Sequence, residues 1–301
     1  MLNRNGRSIG LALLALSFGS VVEAQEAFTI DVPGATFTRI FGLNAGGDIC
    51  GGTQLNGVVL AFAGSRRANF TDLTTFAYPG SVFTQCRGIN AAGQMVGVYQ
   101  TADTKSHAFV KDGPEFISID VPGATDTRGF GIDPLGQIVG RHTSPDGIVH
   151  GFFRSRDGAF RTIDAPEAVA TEASGITPQG EITGVYRTAD GRFHGFILSA
   201  DGFETVDVPG AVNTGTATGG VWISASGELA GYYQPQGAPP GQNRGWVRLR
   251  DATFHQYLFP GSVDTCFFNI NERGDLVGRY IADGAQHGLY IDRLGRRPPG
   301  Q

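Results

Sequence analysis

Charge is scarce in this 301-residue chain, at 17% of residues, where ordinary globular domains carry about a quarter. What charge there is leans acidic, with 23 Lys and Arg against 28 Asp and Glu, a formal net of −5. A nucleic-acid or anionic-membrane partner demands a basic surface, and the composition excludes one. Cysteine is nearly missing too: Cys50, Cys86 and Cys266 are the full set. An odd count of three excludes a disulfide framework of the kind that staples small secreted domains. Free or buried thiols are the expectation, and Cys50 with Cys86 is the only pair that neighbouring copies of the repeat described below could bring together. No Gly-x-Ser-x-Gly, His-Glu-x-x-His, phosphate-binding loop or calcium loop occurs, so the common ready-made catalytic and metal chemistries lack their signatures.

Long apolar runs are missing after the first two dozen residues. At the N-terminus, Arg4 and Arg7 precede an apolar stretch from Ile9 to Val22, and Val22-Glu23-Ala24 supplies a small-x-small cleavage site. That run is short of the ~20 residues a membrane span needs. It reads as a secretory signal over residues 1–24, with the mature chain starting at Gln25. The C-terminal 296–301 tail carries no hydrophobic sorting segment. A secreted or periplasmic chain with no membrane span after cleavage is expected.

Glycine (46) and phenylalanine (21) are plentiful, as many short strands joined by tight turns require. Three elements recur in phase. A Pro-Gly-like step sits at Pro33, Pro79, Pro122, Pro166, Pro209 and Pro260. A Gly-x-apolar-x-Gly element begins at Gly47, Gly93, Gly136, Gly180, Gly227 and Gly274. The third is His107-Ala108-Phe109, His150-Gly151-Phe152, His194-Gly195-Phe196 and His287-Gly288-Leu289, with Leu60-Ala61-Phe62 and Arg244-Gly245-Trp246 as degenerate forms. Repetition at a fixed period of this length marks an array of one supersecondary unit. Each copy parses into four strands, a to d, rich in β-branched and aromatic residues. Asn90-Ala91-Ala92-Gly93 and its equivalents have type I turn chemistry, and Asp112-Gly113, Asp157-Gly158 and Asp201-Gly202 are hairpin dipeptides. The mature chain opens on a lone strand d, Phe28 to Asp31, and ends after a strand c, His287 to Ile291. The expected fold is all-β: a six-bladed β-propeller of four-stranded antiparallel blades over residues 25–295, closed by the N-terminal strand.

These registers resemble the HAF-repeat family of bacterial extracellular proteins, on His107-Ala108-Phe109 and on the flanking Gly-Ile-Asn and Asp-x-Pro-Gly-Ala pieces. The resemblance covers residues 28–292. It implies an exported propeller-like protein and no particular activity. The strand order also resembles that of NHL-type propellers, in which a Gly-Ile strand lies innermost.

The recurrent histidines lie on strand c, two strand spacings of ~4.8 Å from the innermost strand. Neighbours on such a ring are too far apart to share one ion, so no metal and no cofactor is expected, and each His reads as a half-buried cap of the b–c loop. Asp31, Asp120, Asp164 and Asp207 precede the Pro-Gly step and read as turn residues. Function is sought where copies differ. The position three before the strand-a glycine reads Arg39, Gln85, Arg128 and Glu172, and these side chains are candidates to converge on a channel mouth. Copy 5 departs through a longer loop, 235–241, and through Trp222 and Trp246, whose faces could stack on a sugar. Two function classes compete. One is a monomeric binding or scaffolding protein for a glycan, peptide or protein ligand. The other is a hydrolase or lyase acting on an extracellular polysaccharide, for which Glu172 and Asp133 are the clearest carboxylates, expected at opposite ends of the strand layer.

Overall fold

The computed structural model describes residues 26–215 and 220–293; the expected leader, its cleavage site and the 296–301 tail lie outside the described residues. The chain is almost wholly strand. β1 (Glu26–Ile30) precedes unit 1, which comprises β2 (Thr38–Leu43), β3 (Asp48–Leu55), β4 (Val58–Ser65) and β5 (Thr74–Phe76). Unit 2 follows as β6 (Phe83–Ile89), β7 (Met95–Gln100), β8 (Ser106–Asp112) and β9 (Glu115–Ile119). Unit 3 holds β10 (Asp126–Ile132), β11 (Ile138–Thr143), β12 (Val149–Arg154) and β13 (Phe160–Ile163). Unit 4 holds β14 (Ala170–Ile176), β15 (Ile182–Arg187), β16 (Phe193–Ser199) and β17 (Gly202–Val206). In unit 5 the first strand is split into β18 (Ala211–Thr214) and β19 (Trp222–Ile223), followed by β20 (Leu229–Pro235), β21 (Arg244–Arg248) and β22 (Phe254–Tyr257). Unit 6 supplies only β23 (Asp264–Ile270), β24 (Leu276–Ala282) and β25 (Ala285–Asp292). Its fourth strand is β1, which pairs antiparallel with β25 from Glu26↔Asp292 to Ile30↔Gly288, as the half-unit offset of the repeat predicts.

The three sequence registers have one physical origin each. The Pro-Gly step is a tight turn: Val32 C=O accepts from Ala35 N at 3.1 Å, and Gly34 sits at φ +78°, where a side chain is disfavoured. The chain then enters the next unit, and a buried threonine locks the crossover. Thr38 Oγ1 accepts from Val32 N, and Thr84, Thr127, Thr171, Thr214 and Thr265 do the same for their own turns. The second glycine of Gly-x-apolar-x-Gly is a matter of space. A Cβ on Gly140 would lie 2.0 Å from the Arg128 carbonyl oxygen and 2.8 Å from the Phe152 ring, and Gly51, Gly97 and Gly184 are confined in the same way. The ring that covers each such glycine comes from strand c. Phe62, Phe109, Phe152, Phe196, Trp246 and Leu289 are all fully buried there, each contributing on the order of 2–3 kcal/mol of hydrophobic stabilisation.

The His and pre-Pro Asp registers prove to be one interaction. His107 Nδ1 meets Asp120 at 2.9 Å, His150 meets Asp164 at 2.9 Å, His194 meets Asp207 at 2.8 Å and His287 meets Asp31 at 2.7 Å. Each ring also stacks on a strand-b aromatic, as His107 does on Tyr99 and His287 on Tyr280. The expectation of separate loop-capping histidines and turn aspartates is corrected accordingly: the pair bridges strands c and d. Units 1 and 5 carry neither partner, with Leu60 and Ala77 in one and Arg244 and Leu258 in the other.

A second correction concerns the thiols. Cys50 and Cys86 form a disulfide, with Cα atoms 5.7 Å apart, while Cys266 is free and buried. The bond joins the second strand of unit 1 to the first strand of unit 2. On a chain-entropy basis a loop of this length is worth about 3–4 kcal/mol.

Two outcomes follow from these contacts. Deleting residues 25–33 removes β1 and bares the edge of β25; the melting temperature is expected to fall by roughly 10 °C or more, and a truncated protein melting with its parent would show that β1 does not hold the last unit. Glu167 occupies, at φ +58°, the turn position that is glycine in the other five copies. Glu167→Gly should therefore raise unfolding free energy by about 0.5–1 kcal/mol, measurable by denaturant titration.

Candidate functional site

The first strands of all six units converge on one place. Where they end, a pit of about 180 Å³ is lined by Leu43, Ile89, Ile132, Ile176, Ile223 and Ile270, one from each unit, and by the turns that follow. Its rim is built from polar turn residues. Asn271 Nδ2 donates to Asn44 C=O, Asn44 Nδ2 to Asn90 C=O, and Asn90 Nδ2 to Asp133 C=O. The relay stops at Asp133, whose carboxylate accepts from Leu135 N and Gln137 N but leaves Oδ2 buried without a partner. Burial raises the pKa of Asp133 above the ordinary carboxylate value.

Above the pit the strands depart from regular alternation. Five of them carry a β-bulge that leaves one residue out of register: Phe41, Arg87, Phe130, Ser174 and Phe268. A bulge re-aims its extra side chain, and here it aims it at the axis. Phe41 and Phe268 rings lie 4.9 Å apart, Arg87 stands 4.1 Å over the Phe41 ring and 5.4 Å over Phe130, and Trp222 of unit 5 packs edge-on against Phe268 at 5.8 Å. Equivalent residues of units 1, 2, 3 and 6 thus touch across units around one guanidinium, and Trp222, one position further along in unit 5, joins them.

The residues singled out from sequence lie one layer nearer the Pro-Gly end. Gln85 is buried against Gly52 of unit 1. Arg39 donates from Nε to Gln286 of unit 6 at 2.6 Å and stacks over Phe37. Arg128 pairs with Asp126 at 2.9 Å. Glu172, 4% exposed, pairs with Arg141 of unit 3 at 3.2 Å. The layer therefore packs largely between adjacent units instead of projecting into an open mouth. Its charges nonetheless converge electrostatically on Arg87, which feels Arg128, Arg39 and Glu172. The sequence reasoning missed Arg87 itself. The signal was present, since the bulge position varies between copies as Phe, Arg, Phe and Ser, but strict alternation places it on the same face as the channel candidates and gives no sign that a bulge re-aims it.

Of the two tryptophans, Trp222 lines the pit beside the axis. Trp246 is fully enclosed, with Nε1 unpartnered among the described residues. It fills the strand-c slot that holds Phe in units 1 to 4 and presents no face to a ligand. The 235–241 loop is a surface turn fastened by Gln234 Nε2 donating to Ala238 C=O.

The electrostatics of the layer are unusual for an acidic chain. Five guanidinium groups, Arg39, Arg87, Arg128, Arg141 and Arg279, face three carboxylates, Asp126, Glu172 and Asp264. Arg87 Nε is buried without a hydrogen-bond partner among the described residues. Burial, then Arg128 and Arg39, pull the Arg87 pKa down to about 9. Burial pushes Glu172 the other way, to about 7, against the opposing pull of Arg141, Arg128 and Arg87. Among the described residues no group of three or more His, Cys, Asp or Glu is placed to hold a metal ion.

The Glu172 shift fixes a pH dependence. The folded state holds this proton up to about pH 7, whereas the unfolded chain releases it near 4.5. Between those values the folded state binds more protons, so stability falls as pH rises. Wild type should lose about 3 kcal/mol relative to Glu172→Gln between about pH 4 and about pH 8, read from urea titrations at each pH. Parallel curves for the two proteins would show that Glu172 titrates normally.

No protein-family model matches the chain, and no curated protein sequence does. Solved structures do. An Aleuria aurantia lectin in complex with Fucα1-6GlcNAc superposes with a TM-score of 0.55 at 14% identity, over 89% of this chain and 100% of that one; the fold of this lectin is described as a six-bladed β-propeller. TolB from Acinetobacter baumannii gives 0.53 at 11% identity, over 84% of this chain and 62% of that one. A gluconolactonase from Xanthomonas campestris gives 0.52 at 10% identity, over 90% of each chain. At such identities the likeness speaks for the fold alone: this is an all-β chain whose structural neighbours are β-propellers.

Proposed function

We propose that the protein is an exported six-bladed β-propeller, its ring closed by β1, that works as a binding or scaffolding protein with a glycan or peptide ligand at the Pro-Gly end of the axis. The observation that carries the reading is the axial ring itself. Six positions equivalent by repeat hold Phe41, Arg87, Phe130, Ser174, Val221 and Phe268, one guanidinium among mostly apolar side chains, where a purely structural plug would repeat one residue type. Closure is supported by the contacts of unit 6 with unit 1: β1 on β25, Asn271 on Asn44, Arg39 on Gln286, and the Arg66–Asp292 ion pair. Export is supported by the expected leader, by the HAF-repeat resemblance, and by the Cys50–Cys86 disulfide, a bond that persists in oxidising compartments.

A polysaccharide-cleaving enzyme is the second reading, and Glu172 with its pKa near 7 is the feature that favours it. A glycosidase needs a second carboxyl group roughly 5–9.5 Å away across an open cleft. Glu172 is enclosed and paired, and Asp133 is committed to its own turn at the pit. The binding reading therefore leads. It is tested by screening the protein from residue 25 onward against glycan and peptide arrays, with Arg39→Ala/Arg128→Ala in parallel. Saturable binding weakened at least tenfold in the double variant is the expected result. Binding that ignores the two substitutions would move the site away from the axis, and turnover of a polysaccharide would replace the binding reading with the enzymatic one.

A further inference from the structure

A guanidinium enclosed by protein normally ends on a carboxylate or on carbonyl oxygens, because an unpaired buried charge costs several kcal/mol. Arg87 breaks that rule. It lies between the rings of Phe41 and Phe130, forms no ion pair among the described residues, and keeps Nε unpartnered. Its own position on β6 is not at fault, since Phe fills the same position on β2 and β10 and would fill it here without charge. The surrounding layer does not neutralise it either: guanidinium groups there outnumber carboxylates by two, in a chain whose formal net charge is −5. Arg87 keeps part of its surface exposed yet is absent from the pit lining, which leaves the Pro-Gly end as the side from which a ligand would reach it.

We propose that this end of the axis binds a carboxylate, gripped edge-on by Arg87 with Arg39 and Arg128 supplying the surrounding positive potential. The proposal rests on the binding function above and names the chemistry of its ligand. The Phe41 and Phe130 rings lie 4.1 and 5.4 Å from the guanidinium carbon, so the approach open to a ligand is along the N–H groups. A planar carboxylate accepts such a pair in one plane, whereas a tetrahedral phosphate places two of its oxygens out of that plane against the rings. The carboxylate can belong to an acidic sugar or to a peptide side chain or chain end, and the two sources are separated by experiment.

Titration calorimetry with D-glucuronate, N-acetyl-L-glutamate, D-glucose and inorganic phosphate provides the arms. At least one of the two carboxylates should bind with a Kd of about 1 mM or tighter, and which one identifies the source. Glucose should not bind, and phosphate should bind at least tenfold more weakly than the better carboxylate. Arg87→Met keeps an apolar side chain between the rings. It should weaken carboxylate binding at least tenfold and raise the melting temperature by roughly 3 °C or more, since it removes an uncompensated charge. Arg39→Gln/Arg128→Gln gives a second, independent loss of affinity should the methionine variant fold poorly. Failure of both carboxylates, phosphate binding equal to theirs, undiminished binding in Arg87→Met, or a lowered melting temperature in that variant with binding intact would each overturn the proposal. A neutral ligand found on the arrays and unaffected by Arg87→Met would leave the binding function standing while removing this site.

Discussion

The close approach of an inner-strand carbonyl to a bare glycine organises each unit. In unit 3 the Arg128 oxygen lies where a Cβ of Gly140 would be, and the Phe152 ring closes over the same atom from the other side. Any side chain there would push two strands apart, so glycine is a packing requirement at this point and not a turn signal. The bulge in the same stretch of β10 leaves Phe130 out of register and swings it to the axis. One local geometry thus does two things: it lets three layers stack at short range, and it frees one side chain per unit for the centre. Unit 5 shows the dependence by exception. Its first strand is divided into two short strands, the glycine there is less tightly confined, and Trp246 occupies the slot over Gly231.

Contacts between units are of a different kind from those within them. Inside a unit, ladders and buried aromatics dominate. Between units, apolar packing and one disulfide are joined by single polar bonds, repeated: the threonine under each Pro-Gly turn and the asparagine amides passing from turn to turn. The His–Asp pair fastens strands c and d on the outside of four units. In the last of them Asp31 and His287 are 256 residues apart, so a contact that is local in three units becomes the one tying the chain's start to its end. Because it is redundant with the β1–β25 ladder and with Phe28 packed on Phe70 and Tyr290, the join does not rest on any one residue.

Much of this architecture was legible from residues alone, because turn chemistry and space requirements are written locally. The phase of the repeat even placed β1 beside β25. What escaped was anything that needed two registers read together. The His and Asp signals were taken separately, although they are lost together in units 1 and 5, which is the mark of partners. The disulfide was disfavoured by counting three cysteines, yet β3 and β6 bring Cys50 and Cys86 together whatever the third does. The candidate site missed its centre for a related reason. Alternation with period two places residues 39 and 41 on one face, but a bulge resets that parity. Arg39 packs between units on Gln286, while the residue two further on in the next unit, Arg87, is the one that lies between Phe41 and Phe130.

The axis is also where the fold accepts its largest electrostatic costs. A half-buried arginine with its pKa drawn down to about 9 and a buried glutamate drawn up to about 7 both say that charge is disfavoured at this depth. The Arg87 cost is not needed for assembly, because the equivalent positions hold Phe41, Phe130, Ser174, Val221 and Phe268, whereas those equivalent to Glu172 include Arg39, Gln85 and Arg128. The two groups offset one another only through space: Glu172 forms its ion pair with Arg141 of unit 3, and none joins it to Arg87 among the described residues. A symmetric frame fastened by so many repeated contacts can carry such a local penalty without losing its shape. Perturbed groups of this sort cluster at functional sites, and the asymmetry of charge at the centre of an otherwise repetitive protein is the observation from which the binding proposal starts.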